Sequence, residues 1–138
     1  MQKAIFSTPL GWAGVGIYEK GVCSIVLPRG SQRTVKCELT EVKGKIPDAA
    51  ASRLADREIK RTVKLIQQYF SGRRVSFDLP LDLSYYTPFQ RAVWKAAASI
   101  PYGETRSYTW IAKRIGRPTA ARAVGQAMGA NPVPILIP

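Results

Sequence analysis

Apolar and polar positions follow two different periods along this chain. From Lys3 to Leu27, short β-prone runs alternate with glycines: Ala4-Ile5-Phe6, a Pro9-Leu10-Gly11 turn, Ala13 to Tyr18, a Lys20-Gly21 turn, then Val22 to Leu27. That pattern predicts an antiparallel strand pair or meander. Residues 28–50, rich in charge and small side chains, read as a loop, with one more strand at Thr34–Leu39 as an option. From Ser52 to Phe70 the period becomes helical, with Ala55, Ile59, Val63, Ile66 and Phe70 on one face and Arg53, Arg57 and Arg61 on the other. Ser71-Gly72 ends that helix. Val75–Leu79 predicts a last strand, which gives an N-terminal lobe over residues 1–78 and a linker over 79–86.

The remainder, 87–138, is helical and sharply punctuated. Thr87-Pro88-Phe89-Gln90 has the form of a capping box with proline at the first helical position. Phe89, Val93, Ala97 and Ile100 form the expected buried stripe, and Pro101 stops the helix. Ser107 is placed to cap a second helix with an inner face of Tyr108, Ile111, Ala112 and Ile115, closed by Gly116. Thr119 is placed to cap a third helix reaching Met128. Short helices joined by a glycine-containing turn predict a helix-turn-helix. The run Pro134-Ile135-Leu136-Ile137-Pro138 reads as a short buried strand.

Charge narrows the function. Lys and Arg total 21 against 9 acids, a net charge of +12 with pI near 10.2. The excess is spread along the chain, with 14 basic and 7 acidic residues in 1–78 and 7 and 2 in 79–138. A basic domain attracts polyanions, nucleic acid first and anionic membrane second. Solubility or adaptation to high temperature is the competing account of the same charge. The chain has no histidine, which removes histidine-dependent zinc sites, Ser-His-Asp triads and Cys-His dyads. Its two cysteines, Cys23 and Cys37, make no disulfide framework, and a reducing intracellular compartment is expected. No metal and no cofactor are expected, nor any membrane partner.

The third helix, Thr119–Met128, is unusual. Ala120, Ala121, Ala123, Gly125 and Ala127 make up five of its ten residues, and Arg122 is its one charge. A helix that reads base edges carries several long polar side chains, so sequence-specific readout is not expected. Small side chains let a helix backbone approach another surface closely. That surface is either a nucleic acid, with Arg122 inserted, or neighbouring helices, with Arg122 in solvent. Tyr108 is likewise either a functional phenol or a half-buried core aromatic. Thr109 and Arg117, near the helix starts, have the chemistry of phosphate contacts or of solvated side chains.

Together, Phe89-Gln-Arg-Ala-Val-Trp94, Ile100-Pro-Tyr-Gly103, Ser107-Tyr108, Ile111-Ala112, Gly116-Arg-Pro118, Ala120–Gly125 and Asn131–Pro138 strongly resemble the O6-alkylguanine-DNA alkyltransferases, also called methylated-DNA–protein-cysteine methyltransferases. The resemblance is dense from Thr87 onward. In residues 1–78 it is loose, resting on Ser7-Thr-Pro-Leu-Gly11 and Tyr69-Phe-Ser-Gly72. It implies an α+β fold, with a small ribonuclease H-like α/β lobe followed by a helix-turn-helix, winged-helix-like DNA-binding lobe. It also implies a DNA-repair protein, a monomer that takes double-stranded DNA containing O6-alkylguanine through the minor groove and flips the damaged base. On this resemblance the third helix lies in the minor groove through Ala120, Ala121, Ala123 and Gly125, and Arg122 enters the base stack. Tyr108 helps to rotate the nucleotide and assists the departing guanine. Asn131 is a hinge by side-chain hydrogen bonds, and Met128 and Pro134 border the alkyl pocket.

In the family, the run matching Asn131–Pro138 leads into Cys-His-Arg, whose cysteine accepts the alkyl group in one irreversible turnover. Here the sequence ends at Pro138, one residue before that cysteine. The expectation is a helix-turn-helix lobe incomplete at its C-terminus in a longer protein, with the 138 residues alone inactive in transfer. A nucleophile-free lesion binder and a DNA-binding remnant are the alternatives. Neither Cys23 nor Cys37 is expected to substitute for the missing nucleophile.

Overall fold

The computed structural model describes residues 1–43 and 53–137. Residues 44–50 of the expected loop, Ser52, the side chains of Arg53 and Ala55, and Pro138 lie outside that description. The chain forms two compact units, Met1–Tyr85 and Tyr86–Pro138.

The first unit is a meander of β1 (Gln2–Thr8), β2 (Gly11–Tyr18) and β3 (Gly21–Arg29), antiparallel in the order β1-β2-β3, with α1 (Gln32–Lys43) and α2 (Arg53–Phe70) packed on it. Strand β2 is buried at every position from Ala13 to Ile17, as befits a central strand covered on both faces. Helix α1 seats on Gly14, where a Cβ would come within 2.6 Å of Val35 Cγ1 and 2.8 Å of Leu39 Cδ1. Helix α2 runs alongside β1. Gln2 Nε2 donates to Asp56 Oδ1 at 3.2 Å at one end, and Gln67 Nε2 donates to the Ser7 carbonyl at 3.1 Å at the other. Its inward face is Ile66 with the fully buried Thr62, whose hydroxyl is satisfied by the Glu58 carbonyl at 2.7 Å.

Three expectations fail in this unit. Residues 32–43 form a helix, not a loop with a strand at Thr34–Leu39, because Val35 and Leu39, four apart, both go into the core. Ser31 begins this helix by accepting from the Thr34 amide at 3.2 Å. Val75–Leu79 forms no strand, and the bridge to Val22 is made by Leu81. The segment read as a linker is fastened here. The Val22 amide donates to the Pro80 carbonyl at 2.8 Å, and the Asp82 amide donates to the Val22 carbonyl at 2.9 Å. The buried Asp82 carboxylate accepts from the Lys20 amide at 3.0 Å and from the Ser84 amide and hydroxyl. Burial pushes this carboxyl up, but the hydrogen bonds outweigh it and hold it below the ordinary carboxylate range.

The second unit comprises α3 (Pro88–Ala98), α4 (Tyr108–Arg114) and α5 (Ala121–Gly129). The expected capping box is present. Thr87 Oγ1 accepts from the Gln90 amide at 3.2 Å, and Gln90 Oε1 accepts from the Thr87 amide at 3.1 Å. Ser107 caps α4 by accepting from the Trp110 amide at 3.1 Å. Gly116, at φ 77°, closes α4: its amide reaches the Lys113 carbonyl and the Arg117 amide reaches that of Ala112. That paired arrangement needs a left-handed residue, which glycine adopts without a Cβ clash. The core is Val93, Trp94, Ala96, Ala97, Ile111, Ala112, Val124, Ala127, Val133 and Ile137. Phe89 and Ile100, expected inside, are only half-buried, and Trp94 takes the centre.

A candidate nucleic-acid interface on α5

The buried indole of Trp94 sets where α5 lies. Its Nε1 donates to the Ala127 carbonyl at 2.8 Å, in the last turn of the helix, where that carbonyl also accepts from the Ala130 amide at 3.2 Å. The Tyr86 ring meets the same indole edge-on, with centroids 5.0 Å apart. Val124 and Ala127 are the buried positions of α5, and the Trp94 hydrogen bond fixes the helix beside them. Ala120, Ala121, Ala123, Gly125 and Met128 are half-buried, and Arg122 is exposed. The start differs from expectation. Ala120, not Thr119, occupies the capping position, and it makes no side-chain cap bond.

Tyr108, expected on the inner face of α4, is 50% exposed. Its ring lies across α5 at Gly125, where a Cβ would stand 3.1 Å from Cε2 and 3.2 Å from Cδ2. A glycine inside a helix costs roughly 1 kcal/mol relative to alanine. Here the missing methyl is the seat of an aromatic ring. Thr109 is exposed at the first turn of α4. Arg117, also exposed, sits on the turn between α4 and α5 with its guanidinium 5.8 Å from the Phe89 ring centroid.

After α5 the chain turns on Asn131. Its Nδ2 donates to the Ile137 carbonyl at 2.8 Å, while its Oδ1 accepts from the Val133 amide at 3.0 Å. The Ile137 amide returns to the Val133 carbonyl at 3.1 Å, and Pro134 bridges to Ile137. Residues 134–137 are therefore a pinned turn, not the expected strand, with Ile135 at φ 78°. Such a backbone is costly for a β-branched residue and persists only where the surroundings enforce it. The Asn131 side chain and the Ile137–Val133 backbone bond close the turn on either side of Ile135.

The candidate residues thus converge within one unit, with Tyr108 against Gly125 and Asn131 closing the turn beyond Met128. Trp94 as the anchor of α5 and Gly125 as the seat of Tyr108 escaped the sequence reading. The only sequence signals were a tryptophan beside the apolar stripe and a glycine inside a helix. The cysteines stand apart from this surface in sequence and setting. Burial, aided by the charge of Asp82, pushes the Cys23 thiol up to about 12, so it stays protonated at neutral pH; Cys37 is exposed on α1. No three Cys, Asp or Glu side chains gather among the described residues.

Comparison with known proteins matches both units. Residues 1–83 fit the family profile described as 6-O-methylguanine DNA methyltransferase, ribonuclease-like domain, and residues 88–138 fit that family's DNA binding domain. A methylated-DNA–protein-cysteine methyltransferase of Methanosarcina acetivorans is 35% identical over 138 residues, all of this chain and 80% of that protein. The Mycobacterium bovis protein of the same name is 55% identical over 76 residues, 55% of this chain and 46% of its own length. The match thus spans about half the length of such mycobacterial relatives. The crystal structure of Mycobacterium tuberculosis OGT in complex with DNA superposes with a TM-score of 0.69 at 35% identity, over 99% of this chain and 74% of that one. With both domain profiles matched in order and an archaeal relative aligned from end to end, this chain belongs to the 6-O-methylguanine DNA methyltransferase family.

Proposed function

We propose that the protein carrying these residues repairs DNA inside the cell, as a monomer, by direct reversal of O6-alkylguanine. Its α5 enters the minor groove and Arg122 takes the space of the flipped base. The observation that carries this reading is α5 itself, a helix of small residues with one exposed guanidinium and the Tyr108 ring lying over Gly125. Such a surface approaches a duplex closely without reading base edges, and lesion repair needs access to a base more than recognition of a sequence.

The chemistry follows from family membership. In the family, the stretch matching Asn131–Pro138 runs into Cys-His-Arg. The thiolate sulfur attacks the alkyl carbon on O6, the S–C bond forms as the C–O bond breaks, and guanine leaves with the bonding pair. A proton from the Tyr108 hydroxyl to the guanine ring makes that leaving group better. Asn131 holds the turn that delivers the nucleophile. Cys23 does not serve, because a thiol kept protonated by burial is a poor nucleophile.

The test is transfer of label from a duplex containing labelled O6-methylguanine to the chain continued through Cys-His-Arg and the rest of the domain. One alkyl group per molecule is expected, with none on Cys23 or Cys37. Repeated turnover contradicts the proposal. Lesion-selective binding without any transfer supports a nucleophile-free lesion binder instead.

A further inference from the structure

Helix α4 has a second face that the lesion site does not use. Ile111 and Ala112 are buried, whereas Trp110, about 200° round the helix from Tyr108, faces outward and is half-buried. Arg106 lies just before the Ser107 cap and Arg114 ends the helix, and both reach Trp110 between them. The guanidinium carbons of Arg106 and Arg114 stand 5.4 and 5.8 Å from the same indole centroid. Two cations held against one ring are a concentrated positive charge. The surrounding unit does little to neutralise it, since residues 86–138 contain seven Lys and Arg and a single acid, Glu104. Glu104 reaches Arg106 at 3.4 Å, a partly exposed and weak pairing.

We propose that Arg106, Trp110 and Arg114 form a second DNA-backbone site, taking phosphates of the duplex that flank the segment engaged by α5. This rests on the DNA-binding reading above. The indole does not contact the nucleic acid as a reader; it positions the arginines. A guanidinium lying against an aromatic ring has given up much of its rotamer freedom; Arg106 donates from Nη1 to the Thr105 carbonyl at 2.9 Å and from Nη2 to Glu104, and with five N–H groups it keeps donors for a phosphate. Phosphates are the favoured occupant because the ridge presents two guanidinium groups in a unit with a single acid. Contacts of this kind orient a protein on a duplex without selecting sequence or lesion.

The test is fluorescence-anisotropy titration of an unmodified and an O6-methylguanine duplex across a salt series. For Arg106→Gln/Arg114→Gln, the slope of log affinity against log salt falls by about 2, near 0.9 for each phosphate released. Affinity falls severalfold and equally on both duplexes, so lesion preference is kept. Arg57→Gln/Arg61→Gln, which removes the same charge from exposed positions on α2, leaves the slope nearly unchanged. Arg106→Lys/Arg114→Lys restores most of the slope, and Trp110→Leu lowers affinity while keeping the slope. The ridge is overturned if the glutamine pair leaves the slope intact, if the α2 pair lowers it as much, or if the lysine pair fails to restore it. Unchanged affinity in Trp110→Leu overturns the positioning role of the indole. If the unsubstituted chain shows no salt-dependent binding to either duplex, the DNA reading falls and the ridge with it.

Discussion

The ring of Tyr108 on α4 rests on the backbone of Gly125 on α5, so close that a methyl group there would stand 3.1 Å from Cε2. The contact couples the two helices on the face proposed for DNA. Because Tyr108 is half exposed, the ring has room to move aside when crowded.

Gly125→Ala is therefore expected to separate stability from function. Gain in helix propensity, roughly 1 kcal/mol, offsets the displaced ring, and the melting temperature changes by no more than a few degrees. Lesion preference falls because Tyr108 no longer sits where the extruded base must pass. Thermal melts, together with titrations on duplexes with and without O6-methylguanine, check both halves. Unchanged preference would show that the seat of Tyr108 is irrelevant to recognition.

Asn131→Ala removes both side-chain bonds of the turn, leaving the Val133 amide and the Ile137 carbonyl without that partner. A loss of about 2 kcal/mol in denaturant unfolding is expected, from two part-buried hydrogen bonds. Asn131→Asp keeps the acceptor for Val133 and loses the donor to Ile137, so it should fall between the two. An equal loss for both variants would mean that only the Ile137 bond matters.

Thiol labelling distinguishes the cysteines. Burial raises Cys23 to about 12, above its ordinary value of 9.0, so in the folded chain its thiolate is scarce at any pH below that. The sign matters for stability as well. Cys23 does not oppose folding below pH 9.0, and as pH rises above that the unfolded thiol ionises first and stability declines. Iodoacetamide at pH 8 should modify Cys37 and spare Cys23 until denaturant is added, as read by peptide mass. Rapid labelling of Cys23 in the native chain would contradict its burial.

Most local signals in the sequence were legible, the Thr119 cap excepted, and ambiguous periods were not. The Thr87–Gln90 box, the Ser107 cap and the Gly116 stop are short-range chemistry, and each is present as read. In α1, Val35, Cys37 and Leu39 satisfy a strand period of two, while Val35 and Leu39 alone satisfy a helical spacing of four. The helix forms and Cys37 is exposed, because seating Val35 and Leu39 on Gly14 buries two large side chains together. Ile135-Leu136-Ile137 looked like a strand by composition, but an asparagine two residues before Val133 bends it into a turn. For the candidate site, the composition of α5 and the isolation of Arg122 were visible in the residues. The contacts of Tyr108 with Gly125 and of Trp94 with Ala127 join positions 17 and 33 apart, and no local pattern encodes them.

Arg122 is the residue on which the account turns. The direct measurement is the affinity of Arg122→Ala, Arg122→Lys and Arg117→Ala for a duplex with one O6-methylguanine and for its unmodified counterpart. Holding a base out of the stack costs a few kcal/mol, so Arg122→Ala should lose an effect of that order on the lesion duplex and much less on the other. Lysine should rescue it only in part, lacking the planar guanidinium that stacks among bases. Arg117→Ala should weaken both duplexes slightly and lower the salt slope by about 1. Equal small losses on both duplexes for Arg122→Ala would make Arg122 one more phosphate contact, and the minor-groove base-flipping account would be wrong.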